Sequence, residues 1–129
     1  MNQQEMKART KKFALRIIKL VDSLPETKSA GIIGKQLIRS GTSVGANYRS
    51  ACRAKSTADF VFKLTIVEEE ADESVYWMEL LVEAGIIKQS LLSGLIDEAN
   101  QLVAIVVSSI KTLKSKRNPK SQIRNPKSK

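Results

Sequence analysis

The 129-residue sequence contains no histidine and only one cysteine. Without histidine, the chain lacks the side chain that most often serves as a general base or a metal ligand. Cys52 cannot form a disulfide within the chain and has no second thiol with which to bind a metal. These absences exclude the usual zinc, disulfide and histidine-dependent chemistries, and we expect Cys52 to be a buried or partly buried packing residue.

Long apolar runs and catalytic motifs are also absent from the sequence. The N-terminal segment is polar, without the apolar stretch of a secretory signal, and no later stretch reaches the roughly 20 apolar residues that span a bilayer. Neither a Gly-x-Ser-x-Gly elbow nor a glycine-rich phosphate-binding loop occurs. We therefore expect a cytoplasmic protein that is not an enzyme and binds no cofactor.

The composition is typical of one globular domain. Apolar residues make up 42% of the sequence and charged residues 27%, so the chain can form a core and is not disordered as a whole. A chain of this length builds one core and is too short for two domains of ordinary size. We expect one folding unit over residues 1–115.

The spacing of apolar residues predicts four helices. In four segments, apolar side chains recur every three or four positions, as they do on one face of an α-helix. Pro25 ends the first segment, Ser56 or Thr57 caps the third, and Gly85 ends the third. The predicted helices cover about residues 5–23, 29–54, 57–84 and 90–113. Because the loops are short, the sequence predicts an all-α fold, an antiparallel up-down four-helix bundle.

The second predicted helix is rich in glycine. Gly31, Gly34, Gly41 and Gly45 lie within it, and each glycine inside a helix costs about 0.5–1 kcal/mol relative to alanine. A helix that keeps these residues is expected to bring its backbone close to a neighbouring helix, above all over residues 40–46.

The positive charge of the chain is unevenly distributed. The net charge is +9, but residues 111–129 hold eight basic and no acidic side chains. In residues 1–110, fourteen bases nearly balance thirteen acids, with most bases in residues 1–63 and most acids in residues 64–110. Opposite charge in the two halves predicts complementary faces that meet within the bundle or between subunits.

The C-terminal segment, residues 116–129, has a different character. It contains the sequence Arg-Asn-Pro-Lys-Ser twice, starting at Arg117 and at Arg124, and no apolar periodicity. Basic, low-complexity sequence of this kind is typical of disordered chain. We expect a disordered basic tail after the bundle.

The third predicted helix carries two apolar stripes. The core stripe consists of Phe60, Leu64, Val67, Ala71, Val75, Met78 and Val82. A second stripe, roughly 150° away around the helix, packs either on a neighbouring helix or at a subunit interface, where tryptophan is a favoured anchor. The predicted interface consists of Phe62, Ile66, Glu69, Glu73, Trp77 and Leu80. In this interface Arg39 and Arg49 would meet Glu69, Asp72 or Glu73 by charge.

A basic stripe lies on the second helix. Lys35, Arg39, Arg49 and Arg53 fall within an arc of roughly 80° opposite its apolar face. Because the bundle has almost no net positive charge, we interpret these residues as a solvated face of the helix or as ion-pair partners for the acids of the third helix. The alternative is a nucleic-acid site in which these four residues contact phosphates.

Carboxylates cluster at residues 68–73 of the third helix. A di-metal site in a helical bundle uses inward-pointing Glu-x-x-His pairs, and the chain has no histidine. We therefore expect no metal site.

Three segments of the chain carry a family resemblance. They are residues 36–49, 59–64 and 69–77, with the sequences QLIRSGTSVGANYR, DFVFKL and EEADESVYW. With these motifs the chain resembles, over most of residues 10–115, the bacterial four-helix-bundle family of 23S rRNA intervening sequence proteins, also called the S23 ribosomal protein family. The resemblance implies ring-shaped homopentamers of four-helix bundles.

A more distant resemblance is to the accessory proteins of diversity-generating retroelements, which bind nucleic acid through a basic surface and work with a reverse transcriptase. Two hypotheses follow for this chain. The first is a non-enzymatic, homo-oligomeric scaffold or interaction protein, and the second is an RNA- or DNA-binding accessory protein that uses the basic stripe. The near-neutral charge of residues 1–110 favours the first.

Overall fold

The computed structural model describes residues 1–117, which form four α-helices and no strand. The helices are α1 (Gln3–Asp22), α2 (Lys28–Ala51), α3 (Thr57–Glu83) and α4 (Gln89–Arg117). The prediction of an all-α fold with four helices is confirmed. Residues 118–129, which hold most of the predicted tail, lie outside the described residues.

Local sequence signals set the helix ends. At the start of α1, the Asn2 side chain accepts from the backbone N–H of Glu5 at 2.8 Å, and the Glu5 carboxylate accepts from the N–H of Asn2 at 3.0 Å. The Ser56 hydroxyl accepts from the N–H of Asp59 at 3.0 Å and caps α3 as predicted. After α3, Gly85 has a φ of 73°, a left-handed conformation that glycine adopts without strain.

Two helix ends differ from the predicted ones by three residues or more. α2 ends at Ala51, three residues early, because the N–H groups of Arg53 and Ala54 bond to carbonyls three residues before them and close a turn. α4 continues to Arg117, four residues past its predicted end. Its last turn is rich in lysine, and positive side chains are favourable at the negative end of a helix dipole.

One hydrophobic core joins all four helices. Its largest buried side chains are Phe13 and Ile17 of α1, Leu37 and Val44 of α2, Leu64, Val67, Met78 and Leu81 of α3, and Leu92, Leu102 and Val106 of α4. α2 packs against both α1 and α3, and α3 packs against α4, whereas α1 and α4 share little surface. The pair α2 and α3 is therefore the centre of the packing, and the backbones of α1 and α3 do not come close together within the described bundle.

The apolar face of α4 belongs to this core. By length and composition the segment Gln89–Lys116 could cross a membrane, with a mean hydropathy of 1.4 over its most apolar window, which departs from the expectation that no such segment exists. Its buried residues are Leu92, Leu95, Ala99, Leu102, Val106 and Ile110. The core helix of a bundle meets the same criteria, and packing accounts for these six residues.

α2 lies close to α1 along its glycines, as predicted. A Cβ atom on Gly41 would lie 2.8 Å from Cγ1 of Ile17, and a Cβ on Gly45 would lie 3.3 Å from Oγ1 of Thr10. Carbon atoms at 2.8 Å overlap, since their contact distance is about 3.5–4.0 Å. The two helices can therefore approach to this distance only because residue 41 has no side chain.

This close approach predicts opposite effects for two alanine substitutions in α2. Gly41→Ala should lower the free energy of unfolding by about 1–3 kcal/mol, because Ile17 must shift within a packed core. Gly31→Ala is the matched control: nothing lies within 4 Å of its Cβ position, so it should leave stability unchanged or raise it by up to about 1 kcal/mol through helix propensity. Urea unfolding followed by circular dichroism measures both. Equal effects at the two positions would contradict the packing argument.

Candidate interaction surfaces of the bundle

Arg39 of α2 lies between two carboxylates of α3. Its Nη1 atom is 3.2 Å from Oε1 of Glu70, and its Nη2 atom donates to Oε2 of Glu73. The indole Nε1 of Trp77 donates to the same Glu73 oxygen at 3.0 Å. The Trp77 hydrogen bond, and after it Arg39, hold the pKa of Glu73 below its ordinary value, against the raising effect of partial burial. Arg39 and Glu73 are thus paired within one chain.

A buried serine pair lies next to this cluster. The hydroxyls of Ser40 and Ser74 are 2.9 Å apart across the α2–α3 contact, and both side chains are fully buried. Their other partners are the carbonyl oxygens of Leu37 and Glu70, so neither hydroxyl is left unsatisfied. Because the pair fixes how α2 lies along α3, it also places Arg39 opposite its carboxylates.

A second ion pair joins α1 to α4. The Nε and Nη2 atoms of Arg9 donate to the two carboxylate oxygens of Glu98 at 2.7 and 2.8 Å, and Nη2 also donates to Gln101 at 2.7 Å. Hydrogen bonds from Arg9 hold the pKa of Glu98 below its ordinary value against the effect of burial, with smaller contributions from Arg16 and Lys12. Bases of the first half of the chain therefore meet acids of the second half inside the bundle, as predicted.

The other residues of the predicted basic stripe have no ion-pair partner within residues 1–117. Lys35 lies beside Leu24 and Pro25 at one end of the bundle. Arg49 lies in a groove between α1 and α2, and Arg53 lies beyond the end of α2. All are exposed, but their surroundings differ, and Arg39 alone is engaged by carboxylates.

The groove between α1 and α2, called the α1/α2 groove below, has a volume of about 630 Å³. It is lined by Gln4, Lys7, Ala8, Lys11, Ala14, Thr42, Gly45, Ala46 and Arg49. Its charged residues are all basic, and the side chains between them are small. Lys7 and Lys11 were not among the site residues predicted from the sequence. Their spacing of four places them on one face of α1, but only the packing of α1 on α2 brings that face beside Arg49.

The surface of α3 that faces away from the core is called the α3 outer face below. It consists of Phe62, Ile66, Glu69, Asp72, Tyr76, Glu79, Leu80 and Glu83. Phe62 and Tyr76 are its most exposed apolar residues, at 64% and 53% of their surface. Phe62, Glu69, Tyr76 and Glu83 follow one another at intervals of seven residues, which is about two helical turns. Aromatic and acidic side chains therefore alternate along one line.

The predicted interface residues divide into two groups in the structure. Phe62 and Glu69 are exposed, whereas Ile66 and Leu80 are half-buried. Trp77 is also half-buried and packs against the core, with its ring 5.0 Å from that of Tyr76 in an edge-to-face contact. Glu73 is half-buried in the ion pair with Arg39. Tyr76 belonged to neither predicted stripe, although its distance of fourteen residues from Phe62 puts both on one line of the helix.

The acids of the α3 outer face are unpaired. Glu69, Asp72, Glu79 and Glu83 are exposed, and no base lies within ion-pair distance of any of them in the described part of the chain. The bundle therefore has two oppositely charged surfaces whose charges are not satisfied internally: the α1/α2 groove and the α3 outer face.

The remaining reactive groups form no recognisable catalytic arrangement. Cys52 is free and half-buried against the core, as expected. Burial raises the pKa of the Tyr48 hydroxyl, and the neighbouring Cys52 adds to the shift. In residues 1–117, no three side chains of the metal-binding types are placed to hold a metal ion.

Comparisons with known proteins agree with the four-helix architecture. The model of the 23S rRNA-intervening sequence protein family matches residues 2–108. A solved structure from Bacteroides thetaiotaomicron VPI-5482, described as a protein of unknown function from the S23 ribosomal protein family, is 36% identical in sequence. The alignment covers 86% of this chain and 99% of that one, with a TM-score of 0.80. No curated protein matches the chain.

The ion pair between α1 and α4 predicts a pH-dependent contribution to stability. Glu98→Gln should lower the free energy of unfolding at pH 7 by about 1–2 kcal/mol, since it removes a charged hydrogen-bond acceptor. The folded-state pKa of Glu98 lies below the unfolded value of about 4.3. The stabilisation is therefore complete above that unfolded value and is lost as pH falls through the folded pKa.

The difference between wild type and Glu98→Gln should accordingly be constant from about pH 6 to 7 and shrink below about pH 4. Urea titrations at several pH values measure it. Glu79→Gln is the control, because Glu79 is exposed and has no ion-pair partner in the described residues. A Glu98 effect that is independent of pH would contradict the assignment.

Proposed function

The chain belongs to the 23S rRNA-intervening sequence protein family, and we propose that this member is a non-enzymatic, homo-oligomeric bundle that serves as a scaffold or interaction module. The family match covers residues 2–108, and the solved relative is described as a protein of unknown function. Function is therefore argued from the surface of the bundle. The chain has no histidine, and its described residues contain no metal-binding cluster.

The observation that carries this proposal is the exposure of Phe62 and Tyr76 on the α3 outer face. Aromatic side chains are enriched in protein interfaces and often supply most of the binding energy. The half-buried Ile66 and Leu80 extend the apolar surface beside them. Each aromatic side chain thus has an apolar neighbour four residues further along the same helix face, which is more typical of an interaction site than a single exposed residue.

The arrangement of the helices supports an antiparallel, up-down bundle. Along α2, Gly34 lies beside Val21 and Leu24, whereas Gly45 lies beside Thr10. Residue numbers therefore increase along α2 in the direction in which they decrease along α1, so these two helices are antiparallel. We propose that such bundles assemble into a cytoplasmic ring, and the family resemblance suggests five copies. A homo-oligomer of this kind has closed symmetry and repeats one interface around the ring.

The second candidate function is nucleic-acid binding through the basic stripe of α2. It is favoured by the exposed Lys35, Arg49 and Arg53, which have no ion-pair partner within residues 1–117. Arg39 contributes less, since it already contacts two carboxylates. Binding of this type weakens steeply as salt rises. A filter-binding assay on residues 1–115 tests this function. Nucleic-acid binding should fall as salt is raised, and the double variant Arg49→Gln and Arg53→Gln should lose binding relative to the wild-type sequence.

Self-association is tested by substitutions on the α3 outer face. Phe62→Glu and Tyr76→Glu should each weaken association at least about tenfold, because an interface anchor contributes about 2 kcal/mol or more. Leu91→Glu is the matched control, since Leu91 is as exposed as Phe62 but lies on α4. Light scattering after size-exclusion chromatography gives the masses, and circular dichroism checks that each variant is folded.

A wild-type protein that remains a monomer at high concentration would contradict the proposal of self-association. Equal loss of mass in all three variants would show that the α3 outer face is not the specific contact.

A further inference from the structure

We infer that the α1/α2 groove of one copy binds the α3 outer face of a second copy, so that copies associate head to tail. The inference rests on the proposed self-association and adds the identity of both contacting surfaces. It commits to a second copy of this chain as the occupant of the groove.

The charges of the two surfaces are complementary. Lys7, Lys11 and Arg49 in the groove have no carboxylate partner within the described residues. The α3 outer face carries four exposed acids that have no basic partner within the described residues: Glu69, Asp72, Glu79 and Glu83. Complementary charge of this kind steers association and selects the partner.

The groove matches the C-terminal half of the α3 outer face in length. The groove extends along α1 from Gln4 to Ala14, about 15 Å at the rise of an α-helix. On α3 the acids from Asp72 to Glu83 cover about 16 Å by the same rise. Tyr76 lies within this segment and is the exposed aromatic residue nearest its centre.

The interior of the groove suits an aromatic side chain. Between its basic residues the groove is lined by Ala8, Ala14, Gly45 and Ala46, which leave its volume of about 630 Å³ open. An aromatic ring that enters such a space buries a large apolar area at little cost in conformational entropy. Tyr76 would therefore act as the anchor, with the neighbouring acids placed against the lysines and Arg49.

A single copy cannot satisfy both surfaces by itself. The backbone of α3 lies close to α2 and α4 but not to α1, and the acids of the α3 outer face are exposed on the side away from the core. Two α3 outer faces pressed together would set acids against acids, and two grooves would set bases against bases. Like charges opposed in this way cost several kcal/mol, so the favourable pairing joins different surfaces and leads to a ring or a filament.

Two variants that each damage one surface test the pairing. The groove variant carries Lys7→Glu, Lys11→Glu and Arg49→Glu. The face variant carries Asp72→Asn, Tyr76→Ala and Glu79→Gln. All of these side chains are exposed or half-exposed, so both variants should fold, which circular dichroism and thermal unfolding will verify. A control with the same change of charge outside the groove carries Lys19→Glu, Lys28→Glu and Lys111→Glu.

Each variant alone should be monomeric by light scattering, because each has lost one of two surfaces that every contact needs. An equimolar mixture should form a 1:1 dimer and nothing larger, since the groove variant supplies an intact α3 outer face and the face variant an intact groove. The control should keep the wild-type mass. Wild-type association should weaken as salt is raised.

The outcomes separate this inference from the proposed function. A monomeric wild type would overturn both. If the wild type is an oligomer and the groove variant keeps its full mass, the head-to-tail pairing is overturned but self-association is not. The same holds if both variants are monomeric and their mixture stays monomeric. In another outcome, the groove variant keeps its oligomeric mass but loses binding to a single-stranded RNA homopolymer at low salt. That outcome would also overturn the pairing and would show that the groove binds phosphates.

Discussion

The close approach of α2 to α1 is the constraint on which the rest of the bundle depends. It is possible because Gly41 has no side chain where Ile17 occupies the space. With its backbone against α1, α2 can turn its serine and leucine side chains toward α3, where Ser40 and Ser74 meet in the core. The same approach makes Gly45 and Ala46 part of the α1/α2 groove, so one packing contact shapes both the core and the surface.

Charge has two different roles in this molecule. Where bases and acids meet inside the bundle, the pairs join different helices: Arg9 with Glu98 joins α1 to α4, and Arg39 with Glu73 joins α2 to α3. Such pairs are partly screened by water and contribute modestly to stability. The charges of the α1/α2 groove and of the α3 outer face have no ion-pair partner within the described residues, and their opposite signs support the proposed contact with a second copy.

Membership of the 23S rRNA-intervening sequence protein family supplies a fold and not a role, since the solved relative is described as a protein of unknown function. A shared bundle architecture supports many functions. For this chain the surfaces therefore carry the functional argument. The basic side chains of α2 do not act as one unit, because Arg39 is engaged by carboxylates of α3 while Arg49 borders a groove with bases of α1.

The sequence by itself determined the number of helices, most of their ends and five of the seven residues predicted for the core stripe of α3, because these depend on periodicity, caps and glycine, which are local properties of the chain. Phe60 and Val82 of that stripe are only half-buried, and Val61, Ser74 and Leu81 are buried in addition. It also predicted from the glycines of α2 that two helices approach closely. It could not say that α1 is the helix approached at Gly41, since that depends on which distant segments pack together.

Tertiary structure decided which predicted surface residues are free. Trp77, predicted to be an interface anchor, is half-buried, packs against the core and donates to Glu73, whereas Tyr76 beside it is exposed. Lys7 and Lys11 became part of one basic groove with Arg49 only when α1 met α2. A residue's position on its own helix follows from periodicity, but its exposure and its partners depend on the helices packed around it.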